Sequence, residues 1–372
     1  MFSDIYDELD KKVRTILSNT KEPSDTSEIC DLVHTESTSL ETYAKILFTT
    51  NNTFTQLNEL FYKKFKNISS KPKNKTLNHI APIYLSNYCV DACKYCDFSN
   101  TSKLSRTRLS IDEFETELEE VISQGNKVIE LTLSSDINFS AVKLGEYISK
   151  AESSLQGEIG SGVLLCSNYF SKEEYDELKR AGLWGVVQWD ETLDEKQFHN
   201  LHQGSKYKSN FRERINTHDK AMQAGLEVST GCLFGLSDFK YDVLMQIAKA
   251  RYLQLEYGFK PRMFGTPRIK NSSFNLVTNQ QYELALMTYK LAEPLIGRWL
   301  QTRETHELNM RNVLGGDFYT YNCGNVKPGG YKLHKNNNQI KAQFKVNELD
   351  KKDFESRMNE RGFEMNYFWI LD

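Results

Sequence analysis

Residues 80–96 read IAPIYLSNYCVDACKYC. The first seven form an apolar, β-branched and aromatic run with the length of a buried strand, and the loop after it carries Cys89, Cys93 and Cys96 in a CxxxCxxC spacing. A strand that runs into a loop of reactive residues is the opening of a βα unit, whose chemistry sits at the strand's C-terminal end. Similar runs recur downstream at KVIELTLS (127–134), GVLLCS (162–167), WGVVQWDE (184–191), EVSTGCLFG (227–235), KPRMFGTPR (260–268), RWLQTRE (298–304) and FYTYN (318–322). Between them lie helix formers such as IDEFETELEEVISQG, SKEEYDELKRAG, DVLMQIAKARYLQLEYG and NQQYELALMTYKLAEPL. About eight strands alternating with helices predict an α/β fold, a (β/α) TIM-type barrel.

The flanks differ from this pattern. FSDIYDELDKKVRTIL and LETYAKILF are spaced like amphipathic helices, and KPKNKTLN (71–78) reads as a linker. After Pro328 the residues GGY lead into KLHKNNNQIK, a predicted surface loop, and then into a last helix, KKDFESRMNERG. Three parts are expected: a helical extension and linker over 1–78, the barrel over 79–325, and a C-terminal segment packed on the barrel over 326–372. In such a barrel Cys89, Asp136, Asp190, Glu191, Arg268, Arg303 and Glu304 all follow strand ends, so they are expected on one face.

The 372 residues carry 47 Lys and Arg against 50 Asp and Glu, a balance that argues against a nucleic-acid partner. No apolar run is long enough to span a bilayer, and MFSDIYDELDKK has no secretory pattern, so a cytoplasmic location is expected. The seven cysteines are an odd number, which disfavours a disulfide framework. Cys30, Cys166, Cys232 and Cys323 read as structural, and His199 with His202 as surface residues. Asp91 and Lys94 make the triplet's loop polar and exposed. Structural zinc takes four ligands in two pairs, and no second pair lies near the triplet. Three thiolates at this spacing instead suit a [4Fe–4S] cluster with one iron left open.

This loop, with Tyr95 before its last cysteine, resembles the cluster motif of the radical S-adenosylmethionine (SAM) superfamily. APIYLSNYC (81–89), EYDELKRAGLWGVV (174–187), DET (190–192), GCLFGLSD (231–238), TPR (266–268), TRE (302–304) and KPGGY (327–331) narrow the resemblance to its aromatic amino acid lyases, the 2-iminoacetate synthase family of thiamine biosynthesis. The resemblance implies two cofactors, a [4Fe–4S] cluster on Cys89, Cys93 and Cys96, and SAM. It places Tyr95 against adenine, Glu191 and Arg214 on SAM with Arg214 pairing its carboxylate, and Gly235 in backbone contact with adenine. Asp136 stands in LTLSSD where relatives carry a glycine-acid motif for the methionyl amine. Arg303 would clamp the substrate carboxylate and Tyr84 its amino end.

The resemblance further implies cleavage of the Cα–Cβ bond of L-tyrosine to 2-iminoacetate and p-cresol. A flavodoxin or ferredoxin reductant and a thiazole synthase partner go with it. Leu193 and Asp194 stand where tyrosine lyases carry an aromatic-histidine pair, which leaves tryptophan or another amino acid open as substrate. A non-catalytic iron–sulfur protein is a third reading. A related family that makes carbon monoxide and cyanide from tyrosine needs a second cysteine-bound cluster, and no late CxxC is present.

Overall fold

The computed structural model describes residues 1–34, 39–68, 76–347 and 349–368. Ten parallel strands form one curled sheet. In chain order they are β1 (Thr76–Asn78), β2 (Ala81–Ser86), β3 (Val128–Leu133), β4 (Gly162–Cys166), β5 (Leu183–Glu191), β6 (Glu227–Cys232), β7 (Met263–Gly265), β8 (Gly297–Leu300), β9 (Phe318–Tyr319) and β10 (Glu364–Asn366). Side by side they run β10-β1-β9-β8-β7-β6-β5-β4-β3-β2. This is the (β/α) barrel fold with two corrections to the sequence reading. Among the described residues the sheet has ten strands instead of about eight, and part of the expected linker is a strand. Thr76–Asn78 pairs with β10 on one side and β9 on the other, while 71–75 fall outside the described residues.

The eight apolar runs are β2 to β9. β2 and β3 are buried at every position, because one face meets the barrel interior and the other the helices. The outer edge of β2 is not left open. Leu109 N–H donates to Leu85 O, Asn87 N–H donates to Thr107 O, and an antiparallel bridge joins Ser86 and Arg108.

The helices start where the sequence signals them. Capping boxes, in which each side chain satisfies the other's backbone N–H, pair Ser110 with Glu113 at α5 (Ile111–Ser123), Ser171 with Glu174 at α7 (Lys172–Arg180), and Thr278 with Gln281 at α12 (Asn279–Ala292). α11 (Phe239–Tyr257) and α12 are buried on most sides. The N-terminal helices explain this: α1 (Phe2–Asn19) and α3 (Leu40–Leu47) pack over α11, and α3 also covers α12.

The C-terminal segment is less of a surface feature than its polar composition suggests. Residues 332–339 are largely exposed, but the GGY turn before them is tied to the barrel. The buried Glu117 carboxylate of α5 accepts the backbone N–H groups of Tyr331, Lys332 and Leu333 at 2.7, 2.9 and 2.7 Å. Gly324 adopts φ +56° and a Cβ there would lie 2.7 Å from the Tyr331 ring, so only glycine permits this close turn. The returning chain then brings Gln343 and Phe344 over the barrel mouth.

Candidate active site

A cavity of about 170 Å³ opens at the C-terminal ends of the strands. Cys89, Cys93, Cys96, Tyr84, Tyr95, Glu191, Arg214 and Arg303 all line it. Asp136 and Gly235 do not. Asp136 accepts from Arg108 Nε and Nη2 at 2.6 and 2.8 Å and from Ser86 Oγ at 2.6 Å, so its carboxylate is engaged beside the cavity. Gly235 has φ +102°, and a Cβ there would meet Ile269 at 2.4 Å; here glycine serves a tight turn. Among the other strand-end residues, Asp190 pairs with Lys249 at 2.7 Å, and Arg268 pairs with Glu304, all four buried away from the cavity.

The cysteine loop is held from beneath. Asp91, read from the sequence as exposed, is fully buried. Its Oδ1 accepts the backbone N–H groups of Tyr207 and Lys208 at 2.8 and 3.3 Å, and its Oδ2 accepts the Ser135 hydroxyl. A buried carboxylate is stable there because backbone donors replace its water. The sulfurs also meet donors: Asp91 N–H points at Cys89 Sγ at 3.4 Å and Gln343 Nε2 at Cys96 Sγ at 3.7 Å. Burial pushes the Cys93 thiol up to about 12, so a metal must displace its proton on binding.

Beyond the loop stands a charged group that suits a zwitterion. Glu191 ends β5 in the left-handed region, φ +69°, where β5 slips register against β6. A non-glycine residue held there stores strain, a feature concentrated at functional sites. Burial would raise its carboxyl, but Lys208 at 2.5 Å and Arg214 at 3.4 Å hold it down to about 2. Arg214 is fixed in turn by Trp189 O, to which Nε donates at 3.0 Å. Lys208 also donates to Tyr95 Oη at 3.5 Å, and that hydroxyl meets His202 Nε2 at 2.8 Å. His202 is therefore a buried anchor of Tyr95, not a surface residue. Nothing in the sequence marks Lys208, because the loop KYKSNF has no periodicity that would single it out.

The opposite side is aromatic. Trp189 and Trp299 meet with ring centroids 5.4 Å apart. Gly265 makes room for them, since a Cβ there would fall 2.0 Å from the Trp189 ring. Tyr84 donates its hydroxyl to Gln343 Oε1 at 3.0 Å and meets Phe98 edge to face. The Arg303 guanidinium lies 3.6 Å from the centroid of Phe344 and its buried Nε has no hydrogen-bond partner. It joins no ion pair among the described residues, which leaves it available to a carboxylate. Cys166 and Cys323, read as structural, also line this cavity. Leu193 packs in the core and Asp194 caps α8 (Glu195–Leu201), so neither reaches it.

The donor set fits a cluster. No three His, Cys, Asp or Glu among the described residues converge as a single metal ion requires. Thiolates that each bind a different iron stand at separate corners, and three cysteines around one cavity meet that need. The curled parallel sheet and the cysteine loop are those of a radical SAM enzyme in kind, and residues 83–250 match the Radical SAM superfamily. Its cofactors are a [4Fe–4S] cluster and SAM, and its chemistry requires a one-electron reductant.

Within that class the chain is similar to 2-iminoacetate synthase. The Escherichia coli (strain K12) protein is 26% identical over 264 residues, 69% of this chain and 68% of that one. The Salmonella typhimurium protein is 27% identical over 243 residues, 62% of each chain. Among solved structures, the hydrogenase maturase HydG superposes with TM-score 0.85 at 22% identity, over 96% of this chain and 80% of HydG, which shows the shared fold. No helix among the described residues is long and apolar enough to cross a membrane.

Proposed function

We propose that the protein is a carbon–carbon lyase that cleaves the Cα–Cβ bond of an aromatic amino acid, L-tyrosine, to 2-iminoacetate and p-cresol. One observation carries this reading: a single cavity joins the three cysteines, the Glu191–Lys208–Arg214 group, an arginine without an ion pair among the described residues and an aromatic wall. When bound, the cluster and SAM supply the 5′-deoxyadenosyl radical that takes hydrogen from the substrate. The chain's own part is placement. Cys89, Cys93 and Cys96 hold the cluster, and Arg214, Lys208 and Glu191 meet the charged end of SAM, with Tyr95 beside its adenine. Arg303 clamps the substrate carboxylate and Tyr84 orients its amino end. Trp189 and Trp299 flank the ring and exclude water, which fixes the hydrogen to be removed. Thiazole synthase is the recipient this reading gives the 2-iminoacetate.

Similarity to 2-iminoacetate synthases supports this assignment. Tryptophan is a second reading, favoured by Leu193 and Asp194 at the positions of the aromatic-histidine pair. The test is anaerobic reconstitution, then incubation with SAM, dithionite and each amino acid in turn. Tyrosine should give 5′-deoxyadenosine, p-cresol and glyoxylate from hydrolysis of 2-iminoacetate. Deoxyadenosine with tryptophan alone would replace tyrosine, and none with any aromatic amino acid would end the lyase reading. Cys93→Ala should fold but lose the full complement of iron.

A further inference from the structure

Deep in the same cavity lies an acid that neither cofactor accounts for. Glu130 sits in the middle of β3, in register with Pro82 on β2 and Leu164 on β4. It lines the cavity yet is only 3% exposed. Its Oε1 accepts the Thr132 hydroxyl at 2.6 Å, while its Oε2 has no hydrogen-bond partner. Its neighbours on the strand are what such a position normally holds: Ile129 and Leu131 pack against the helices, and Val128 belongs to the apolar barrel floor.

A buried polar atom without a partner costs about 1–3 kcal/mol. No salt bridge offsets it, because Glu130 joins none among the described residues. Burial pushes its carboxyl up to about 7, and both the acid and the carboxylate present an acceptor oxygen. Two other cavity atoms also lack partners, Arg303 Nε and Gln301 Nε2. Both are donors, and both follow the end of β8. Glu130 instead lies three residues below the end of β3, roughly 10 Å deeper along the strand. The cavity thus presents donors near its mouth, suited to a carboxylate, and an acceptor deeper down, and Trp189 and Trp299 line it too.

We propose that Glu130 is a specificity residue that accepts a hydrogen bond from a donor on the substrate's ring, the phenol O–H of tyrosine or the indole N–H of tryptophan. This rests on the aromatic amino acid reading and deepens it. A ring without a donor would fill the same space and leave Oε2 unpaired, and sites of this kind discriminate strongly against such analogues.

The experiment measures binding of matched pairs to the SAM-loaded holoenzyme by calorimetry. Tyrosine is compared with phenylalanine, and tryptophan with 3-benzothienylalanine, which has no N–H. For whichever parent binds, wild type should prefer it over its partner by at least ~10-fold. Glu130→Leu should bring that ratio close to one, and Glu130→Gln, which keeps a carbonyl acceptor, should preserve most of it. Iron content and melting temperature show that the variants are folded. The wild-type ratio tests the proposal even if Glu130→Leu does not fold. A ratio near one in wild type, or one unchanged in folded Glu130→Leu, would overturn the assignment of Glu130 alone. Absence of both binding and 5′-deoxyadenosine with every aromatic amino acid would overturn the lyase reading and this inference with it.

Discussion

Replacing Asp91 with alanine should loosen the cysteine loop without touching a cysteine. The carboxylate is the acceptor for the Tyr207 and Lys208 N–H groups and the Ser135 hydroxyl, and thereby joins the cysteine loop to the segments after β3 and α8. Alanine strands the two backbone donors in a buried site, at roughly 1–3 kcal/mol each, for a total near 4 kcal/mol. A chain of this size should then melt roughly 5 °C lower. Asp91→Asn separates hydrogen bonding from charge. The asparagine Oδ1 can still serve both N–H groups while Nδ2 faces Ser135, whose hydroxyl can accept instead, so its loss should be near 1 kcal/mol. The assays are thermal melting followed by circular dichroism and iron per chain after anaerobic reconstitution. Asp91→Ala should fall in both, Asp91→Asn in neither by much. An alanine variant that melts within 2 °C of wild type and holds four irons would refute the role of Asp91 as the loop's strut.

Two further predictions concern the frame around the site. Glu117→Ala removes the acceptor of three backbone N–H groups, so the GGY turn should open; residues 326–346 should become sensitive to protease, and KM for the amino acid should rise several-fold as Gln343 and Phe344 leave the mouth. Burial pushes the fully enclosed Asp242 carboxyl up to about 7 despite hydrogen bonds from Ser237, Leu193 and Thr192. A raised carboxyl adds stability below its unfolded value and loses it as pH rises through the folded one, so denaturant midpoints should decline between pH 4 and 7 from this group. Asp242→Asn should remove that component and be the more stable form at pH 8 by about 4 kcal/mol.

Much of the fold is legible because buried parallel strands are continuous apolar runs, and β2 to β9 are such runs. β1 and β10 are not: TLN and EMN are three residues each and largely polar, and they are strands only because of their neighbours, β10 beside β1 and β1 between β10 and β9. The cysteine triplet is legible because its three members fall within eight residues of one loop, so any fold keeps them together. Lys208 and Asp91 are the opposite case. A lysine in an aperiodic loop carries no mark of the Glu191 it will meet, and a charged residue in a polar loop looks solvated until Tyr207 and Lys208 turn their N–H groups toward it. His202 reads as a surface residue for the same reason, since its partner Tyr95, 107 positions away, is brought to it by folding.

The pairing of β1 with β10 also sets an order in time. The Asn78 and Asn366 side chains meet across 288 positions of chain. At ordinary rates of synthesis that separation is on the order of tens of seconds. For most of that interval, from the completion of β3 at Leu133 until Gln343 is made, the cysteine loop and the strands on either side of it already exist, while β10 and the roof residues Gln343 and Phe344 do not. The thiols that the finished protein encloses therefore face solvent first, and iron and sulfide can reach them before the roof is made.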